Sequence, residues 1–233
     1  RNYASLGIDT THIHVTDAAF SGVASIAVDP AGHNSIIIVA GANDLLTAAE
    51  IEAAQPLIEE AAVLVCQLEI PLEITLAALR VARNAGVTTI FNPAPARPDL
   101  PAECFTLSDI FCPNETETEL LTGLPVTSRA EAETAARVLL EKGASRVSLT
   151  LGERGSLLVP PEEARHVPTP RVAPVDTTGA GDAFVGSLAF FLAADTPMLE
   201  AMNRANRIAA LSVQKPGTQM SYPAAADLPA DLR

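Results

Sequence analysis

Short apolar runs alternate along this chain with longer stretches whose apolar residues recur at helical spacing, and that alternation predicts an α/β order of elements. Ile13–Thr16, Val23–Val28 and Ser35–Val39 read as short β runs. Asp29-Pro30-Ala31-Gly32 has turn composition, so the last two runs are expected to form a hairpin. Ala62–Leu68 is a continuous apolar run suited to a buried parallel strand, and Val87–Phe91, Asp109–Cys112 and Val147–Leu151 give further strands. Ser156–Val159 follows through Gly152-Glu153-Arg154-Gly155, whose glycines permit a tight turn.

Helix boundaries are marked by local chemistry. Thr47-x-x-Glu50 and Ser128-x-x-Glu131 are capping boxes, and Pro56 is expected to kink or restart the first helix. A helix over Leu72–Asn84 ends at Gly86, one opened by Pro113–Glu117 ends near Gly123, and Gly143 closes the helix begun at Ser128. Thr196 reads as an N-cap with Pro197 at the first helical position, ahead of a helix over Met198–Val213. The last residues read as a frayed tail. Internal repeats and low-complexity linkers are lacking, so residues 1–233 are taken as one α/β domain: a largely parallel central sheet flanked by helices.

Composition narrows the picture. Hydrophobic residues make up 48% of the chain but aromatics only 4%, with no Trp, so the core is expected to be built from Ala, Val, Leu and Ile. A formal charge of −13 argues against nucleic acid or an anionic membrane as partner. It leaves a nucleotide open, because backbone N–H groups and Mg²⁺ can hold phosphates without many lysines. Cys66, Cys104 and Cys112 show no metal-type spacing; Cys66 and Cys112 end apolar runs and are read as small core residues. The odd count points to a reducing compartment, cytoplasmic with the nucleus also open. No apolar run approaches the ~20 residues needed to span a bilayer, and no signal peptide is visible.

Candidate chemistry gathers in Pro174–Ala194, PVDTTGAGDAFVGSLAFFLAA. Glycines ahead of a helix let backbone N–H groups converge where the helix carries partial positive charge, which makes an anion hole. Asp182 inside that hole is a candidate general base for phosphoryl transfer. It fits equally well as a favourable charge at the helix dipole. Phe184 stands where a G-x-G-x-x-G motif needs its third glycine, and no G-x-x-x-x-G-K-[ST] occurs, so dinucleotide and P-loop sites are set aside. Glu69 follows a predicted strand at its carboxyl end, where ligands of open α/β sheets sit, although a plain strand-end charge explains it too. Acidic residues in the turn after Asn114 have the same double reading. His12, His14, His33 and His166 show no metal spacing and receive no role.

Asp176-Thr177-Thr178-Gly179-Ala180-Gly181-Asp182-Ala183-Phe184-Val185-Gly186 resembles the C-terminal signature of the ribokinase (PfkB-type) sugar kinases. The likeness extends over essentially the whole chain through VCQLE ending at Glu69, NPAPA at 92–96, Asn114-x-x-Glu117 and the TLGERG turn at 150–155. It implies a ribokinase-like fold in which residues 13–40 are a partial β lid, and an ATP-dependent transfer that converts D-ribose to D-ribose 5-phosphate. Asp182 would deprotonate the attacking hydroxyl, with backbone N–H groups of Gly179, Ala180, Gly181 and Asp182 holding the developing charge. The sugar would meet Glu69 and Asp182. The nucleotide would meet Asn114, Thr150, Leu151, Gly152, Glu153, Arg154, Gly155, Gly181, Asp182 and Asn206. The resemblance also implies Mg²⁺ held through water by Glu117. It implies K⁺ at Asp176, Thr178, Ser212, Lys215 (through its carbonyl), Gly217 and Ser221.

The same family carries an N-terminal segment with N-x-D and G-G-K-G-x-N motifs that this sequence lacks. With a start at Arg1, in a polar stretch resembling the tail of a helix, the chain is expected to be N-terminally truncated. A homodimer is expected of the complete form. Kinases of fructose, adenosine or another nucleoside, and a catalytically silent nucleotide-binding fragment, remain as alternatives.

Overall fold

The computed structural model describes residues 2–28 and 34–233. A one-turn helix, α1 (Asn2–Ser5), precedes β1 (Val23–Val28) and β2 (Asn34–Val39), which pair antiparallel as a separate two-stranded sheet with Val23 opposite Val39. The turn expected at Asp29–Gly32 lies outside the described residues. Ile13–Thr16 is not a strand. Val15 is 95% exposed there, so the run has no surface against which to bury its apolar side chains.

After a 3-10 turn at Gly41–Leu45, α2 (Ala48–Glu60) starts at the Thr47/Glu50 capping box and continues unbroken past Pro56. The expected restart does not occur. A proline removes one helical hydrogen bond, but here α2 packs along α3 (Leu72–Ala85) and buries Ile58, so tertiary contact outweighs the local defect.

From β3 (Val63–Cys66) the chain alternates strand and helix through β4 (Thr88–Phe91), α4 (Ala102–Thr106), β5 (Ile110–Phe111), α5 (Glu115–Thr122), α6 (Arg129–Glu141) and β6 (Val147–Thr150). These strands pair parallel in the order β3-β4-β5-β6. β7 (Ser156–Val159) and β8 (Arg165–Val167) then extend the sheet antiparallel, giving six strands in all. Neither α4 nor β8 carries a periodic signal of its own, being five and three residues long.

Period-two alternation divides the interior. Phe91, Phe111, Val147 and Leu149 pack into a core with α3, α5 and α6. Ile90, Ile110 and Leu158 point the other way, against α7 (Ala180–Ala193) and α8 (Met198–Ser212). The aromatic expectation is met with a qualification: few rings exist, but Phe105 stacks on Phe111 with centroids 4.8 Å apart. All three cysteines are buried, and desolvation pushes the Cys66 and Cys112 thiols up to about 12.

Two boundaries differ from the sequence reading. Pro197, not Thr196, caps α8, and the Thr196 N–H donates instead to the Phe191 carbonyl at 2.9 Å. The C-terminal residues are no frayed tail. They form two 3-10 turns that bury Leu228 and Leu232, and Asp231 pairs with Arg207 of α8. Among the described residues, no helix is long and apolar enough to cross a membrane.

The outer edge of β3 has no partner strand among the described residues, and β1 and β2 present Val23, Ile37 and Val39 on one face at 57–68% exposure. Unpaired edges and apolar faces template association. The isolated 24.3 kDa chain is therefore expected to elute from size exclusion as larger species, and Ile37→Lys with Val39→Lys to shift it toward monomer. A clean monomer peak for the parent chain would contradict this.

Candidate active site

Parallel pairing from β3 to β6 sends the carboxyl end of each strand to the same edge of the sheet. The loops leaving that edge are stitched in a row. Leu68 N–H donates to the Ala94 carbonyl (2.9 Å), Asn92 Nδ2 to the Cys112 carbonyl (2.8 Å), and Thr150 N–H to the Pro113 carbonyl (3.0 Å). Glu69, Asn114 and the 150–155 turn are thereby set along one rim.

Asn114 and Glu117 form a capping box at the start of α5. The Asn114 Oδ1 accepts from Glu117 N–H at 2.8 Å, while Glu117 Oε2 and Oε1 accept from the Asn114 backbone N–H (2.7 Å) and Nδ2 (2.9 Å). Glu117 is only 7% exposed. Desolvation raises its pKa, the Asn114 N–H lowers it, and the negative charge of Asp182 raises it further. Glu117 and Asp182 are thus close enough to repel, although they come from elements far apart in the chain.

The turn after β6 is built as a 3-10 turn over Gly152–Arg154, closed by Leu151 N–H to the Gly155 carbonyl at 2.8 Å. Gly155 adopts φ +87°, and a Cβ there would lie 2.2 Å from the Val167 carbonyl oxygen, so only glycine lets β8 approach. Arg154 reaches away to the α5–α6 connection. It donates to the Thr127 and Val126 carbonyls (2.7 and 3.1 Å) and pairs with Glu115. His166 Nε2 donates to the Arg154 carbonyl at 2.7 Å, which gives that histidine a structural task.

The third wall is the start of α7. Gly179 holds a left-handed conformation (φ +80°) immediately before it, and a Cβ there would meet the Tyr222 hydroxyl at 2.7 Å. Asp176 ties the preceding loop to the loop after α8. Its Oδ1 accepts from Thr178 N–H and its Oδ2 from Gly217 N–H, both at 2.9 Å, and these donors hold its carboxyl below the usual range. Val175 and Asp176 N–H also share the Val213 carbonyl, at 2.7 and 3.1 Å. Asp182 stands in the first turn of α7. It reaches solvent, yet the protein packed about its carboxyl raises its pKa by desolvation, with the Tyr222 phenol pulling it back.

These walls enclose a cleft of about 1140 Å³ lined by Asn114, Thr150–Gly155, Gly181 and Asn206 among others. Most of the residues expected to meet a nucleotide are thus brought together. Asn206 is 4% exposed, and its Nδ2 donates to Ser156 Oγ (3.0 Å) and the Val167 carbonyl (2.9 Å), so its amide nitrogen is committed to holding α8 against β7 and β8. Glu69 is exposed at the rim and, like Asp182 and Glu117, is not part of the cleft lining. Asp176, Thr178 and Gly217 lie together through the Asp176 carboxylate; Ser212 Oγ and Ser221 Oγ are turned to the carbonyls of Ala209 and Thr218. No cluster of His, Cys, Asp and Glu suited to a metal occurs among the described residues.

Sequence reasoning missed Tyr222, Arg171 and Arg129. The two arginines line the cleft, and Tyr222 touches Gly179 from 43 residues away. Nothing in local pattern marks a contact of that span.

A profile of the pfkB family of carbohydrate kinases matches residues 1–225. Over 229 residues the chain is 48% identical to ribokinase of Mus musculus, covering 97% of this chain and 71% of that protein. It is 40% identical to deoxyribokinase of Salmonella typhi, covering 96% and 73%. The fold superposes with a TM-score of 0.84 on Arabidopsis thaliana ribokinase complexed with ribose and ATP, at 29% identity, covering 93% of this chain and 70% of that one. Family profile, curated relatives and fold agree, and the chain belongs to the pfkB family of ATP-dependent carbohydrate kinases.

Proposed function

We propose that this chain serves the ATP-dependent phosphorylation of D-ribose at its primary hydroxyl, with Asp182 as the general base. The single observation that carries the reading is the placement of Asp182 in the first turn of α7, beside the glycine-flanked start whose Gly181 borders the cleft. The proton of the sugar hydroxyl passes to the Asp182 carboxylate as the oxygen bonds to the γ-phosphorus. The bond from that phosphorus to the β–γ bridging oxygen breaks, and ADP leaves. Developing charge on the transferred group is met by the backbone N–H groups of Gly179–Asp182 and the positive end of α7. Desolvation suits Asp182 to this task, because a carboxylate with a raised pKa is a stronger base than one in free water.

Glu117 and Asn114 fit the hydrated Mg²⁺ that accompanies ATP. A nearly buried carboxylate repelled by a second one is donor chemistry that a divalent cation relieves. Bound there, the ion would supply neutralisation of the β and γ oxygens. In this reading Asp176, Thr178, Ser212, Lys215, Gly217 and Ser221 would offer hydroxyl, carboxylate and carbonyl oxygens to K⁺, a donor class that suits a monovalent cation. Glu69 is the sugar ligand in this reading, the β1–β2 sheet part of a lid, and the active assembly a homodimer. The 40% identity to a deoxyribokinase favours one competing acceptor, 2-deoxyribose, and a side-by-side sugar panel separates the two.

Three outcomes test the reading. Asp182→Asn is expected to lower kcat by ~10²–10⁴-fold with little change in nucleotide affinity. Because the folded pKa of Asp182 is raised, its stabilising state is the protonated one, present below the ordinary carboxylate pKa and lost as pH rises through the folded value. The neutral Asn should therefore raise Tm at pH 7 by about 1–3 °C. Turnover within a few-fold of the parent would remove Asp182 as the base.

Glu117→Gln should raise the Mg²⁺ concentration needed for half-maximal rate, read from a titration at fixed ATP. A lower Tm with an unchanged titration would leave Glu117 as a helix cap only. Replacing K⁺ by Na⁺ at equal ionic strength should slow turnover; equal rates would count against the cation site.

A further inference from the structure

Tyr222 lies in the loop that follows α8, one residue beyond Ser221, and is half-buried. Its hydroxyl donates to the Gly179 carbonyl at 3.3 Å, long for an O–H···O bond. The same hydroxyl fills the space a Cβ at residue 179 would need, at 2.7 Å. The long bond to Gly179 leaves the hydroxyl's one proton a second acceptor in reach, the Asp182 carboxylate. Burial, and then the Asp182 charge, push the phenol up to about 12, while the phenol counters the desolvation of Asp182. Two other points of attachment join these loops, Asp176 to Gly217 and the Val175–Asp176 pair to Val213, and both stop short of α7. Tyr222 alone among the three reaches the residue that opens the helix and the carboxylate in its first turn.

A general base must present its oxygen within a fraction of an ångström of the hydroxyl it deprotonates. An aspartate in a helical first turn has two rotatable bonds, and desolvation alone does not fix which way its oxygens face. We propose that Tyr222 is a positioning residue for phosphoryl transfer: its hydroxyl, seated against the Gly179 carbonyl and the Asp182 side chain, sets the orientation of the carboxylate relative to the anion hole. This rests on Asp182 being the base. A phenol suits the role because at neutral pH it remains a donor and adds no charge beside two mutually repelling carboxylates.

Tyr222→Phe removes the hydroxyl and keeps the ring that packs the loop. It is expected to lower kcat by about 10- to 100-fold, the scale of a misplaced catalytic group, with KM for ATP and ribose changed by less than about threefold and Tm unchanged. Because Tyr222 acts through Asp182, Asp182→Asn/Tyr222→Phe should be no slower than Asp182→Asn alone. Hydrogen exchange at Gly179–Asp182 should accelerate by about tenfold in Tyr222→Phe without ligand, a readout that needs no turnover. Parent-like kcat, a raised KM at parent kcat, losses that multiply in the double variant, or unchanged exchange would each overturn the assignment. An active Asp182→Asn would instead bring down the base reading, and with it this role.

Discussion

Parallel strand pairing is the constraint on which the rest of this molecule depends. Once β3, β4, β5 and β6 run the same way, the loops at their carboxyl ends must share one edge, and their unpaired backbone groups must find partners there. The structure meets that demand laterally. Each rim loop hydrogen-bonds its neighbour, through the Ala94 carbonyl, the Asn92 amide and the Pro113 carbonyl. What begins as satisfaction of buried polar groups ends as a rigid line of residues facing a cleft. Helix α7 then closes one side of that cleft with its positive end, held in place by loops that no strand controls.

Much of this was readable in the residues because its causes are local. Both capping boxes read from the sequence, Thr47/Glu50 and Ser128/Glu131, form where side-chain chemistry within one turn demands them, and Asn114/Glu117 makes a third of the same kind. Gly86 and Gly123 take left-handed conformations at helix ends for the same reason. Local reasoning failed where distant partners decide. Pro56 sits in an unbroken helix because α3 supports it. The C-terminal segment is ordered by Leu228, Leu232 and the Arg207–Asp231 pair, none of which a composition of small and polar residues announces. The candidate site divides the same way. The glycine turn and Asn114-x-x-Glu117 stand out in sequence, whereas Tyr222, Arg171 and the lateral task of Asn206 emerge only when the chain is closed on itself.

The electrostatics show a molecule working against its own average. With a net charge of −13 it still gathers Arg129, Arg154 and Arg171 around one cleft. Arg154 is already matched by Glu115 and tied to two carbonyls, so it braces the turn rather than offering free charge. Attraction for an anion then comes from Arg129 and Arg171 together with backbone dipoles, which are fixed by the fold and unaffected by pH. Glu117 and Asp182 add the opposite sign close by, each raised in pKa by loss of solvent. Carboxylates held out of water in this way cost stability while they are ionised.

Gly181 has a consequence of a different sort. A Cβ placed on it would meet no protein atom within 4 Å, and its backbone needs no left-handed conformation, unlike that of Gly179. In a helix, alanine is favoured over glycine by about 1 kcal/mol, so the empty molecule would gain from the exchange. On the function proposed above, the open space over Gly181 is where a bound phosphate would approach the backbone, and a methyl group would stand in its way. A search for heat-resistant variants would then reward Gly181→Ala, while a selection for phosphate binding at this turn would reject it. Stability and occupancy pull this one backbone position in opposite directions, and thermal melting alone would never disclose the conflict.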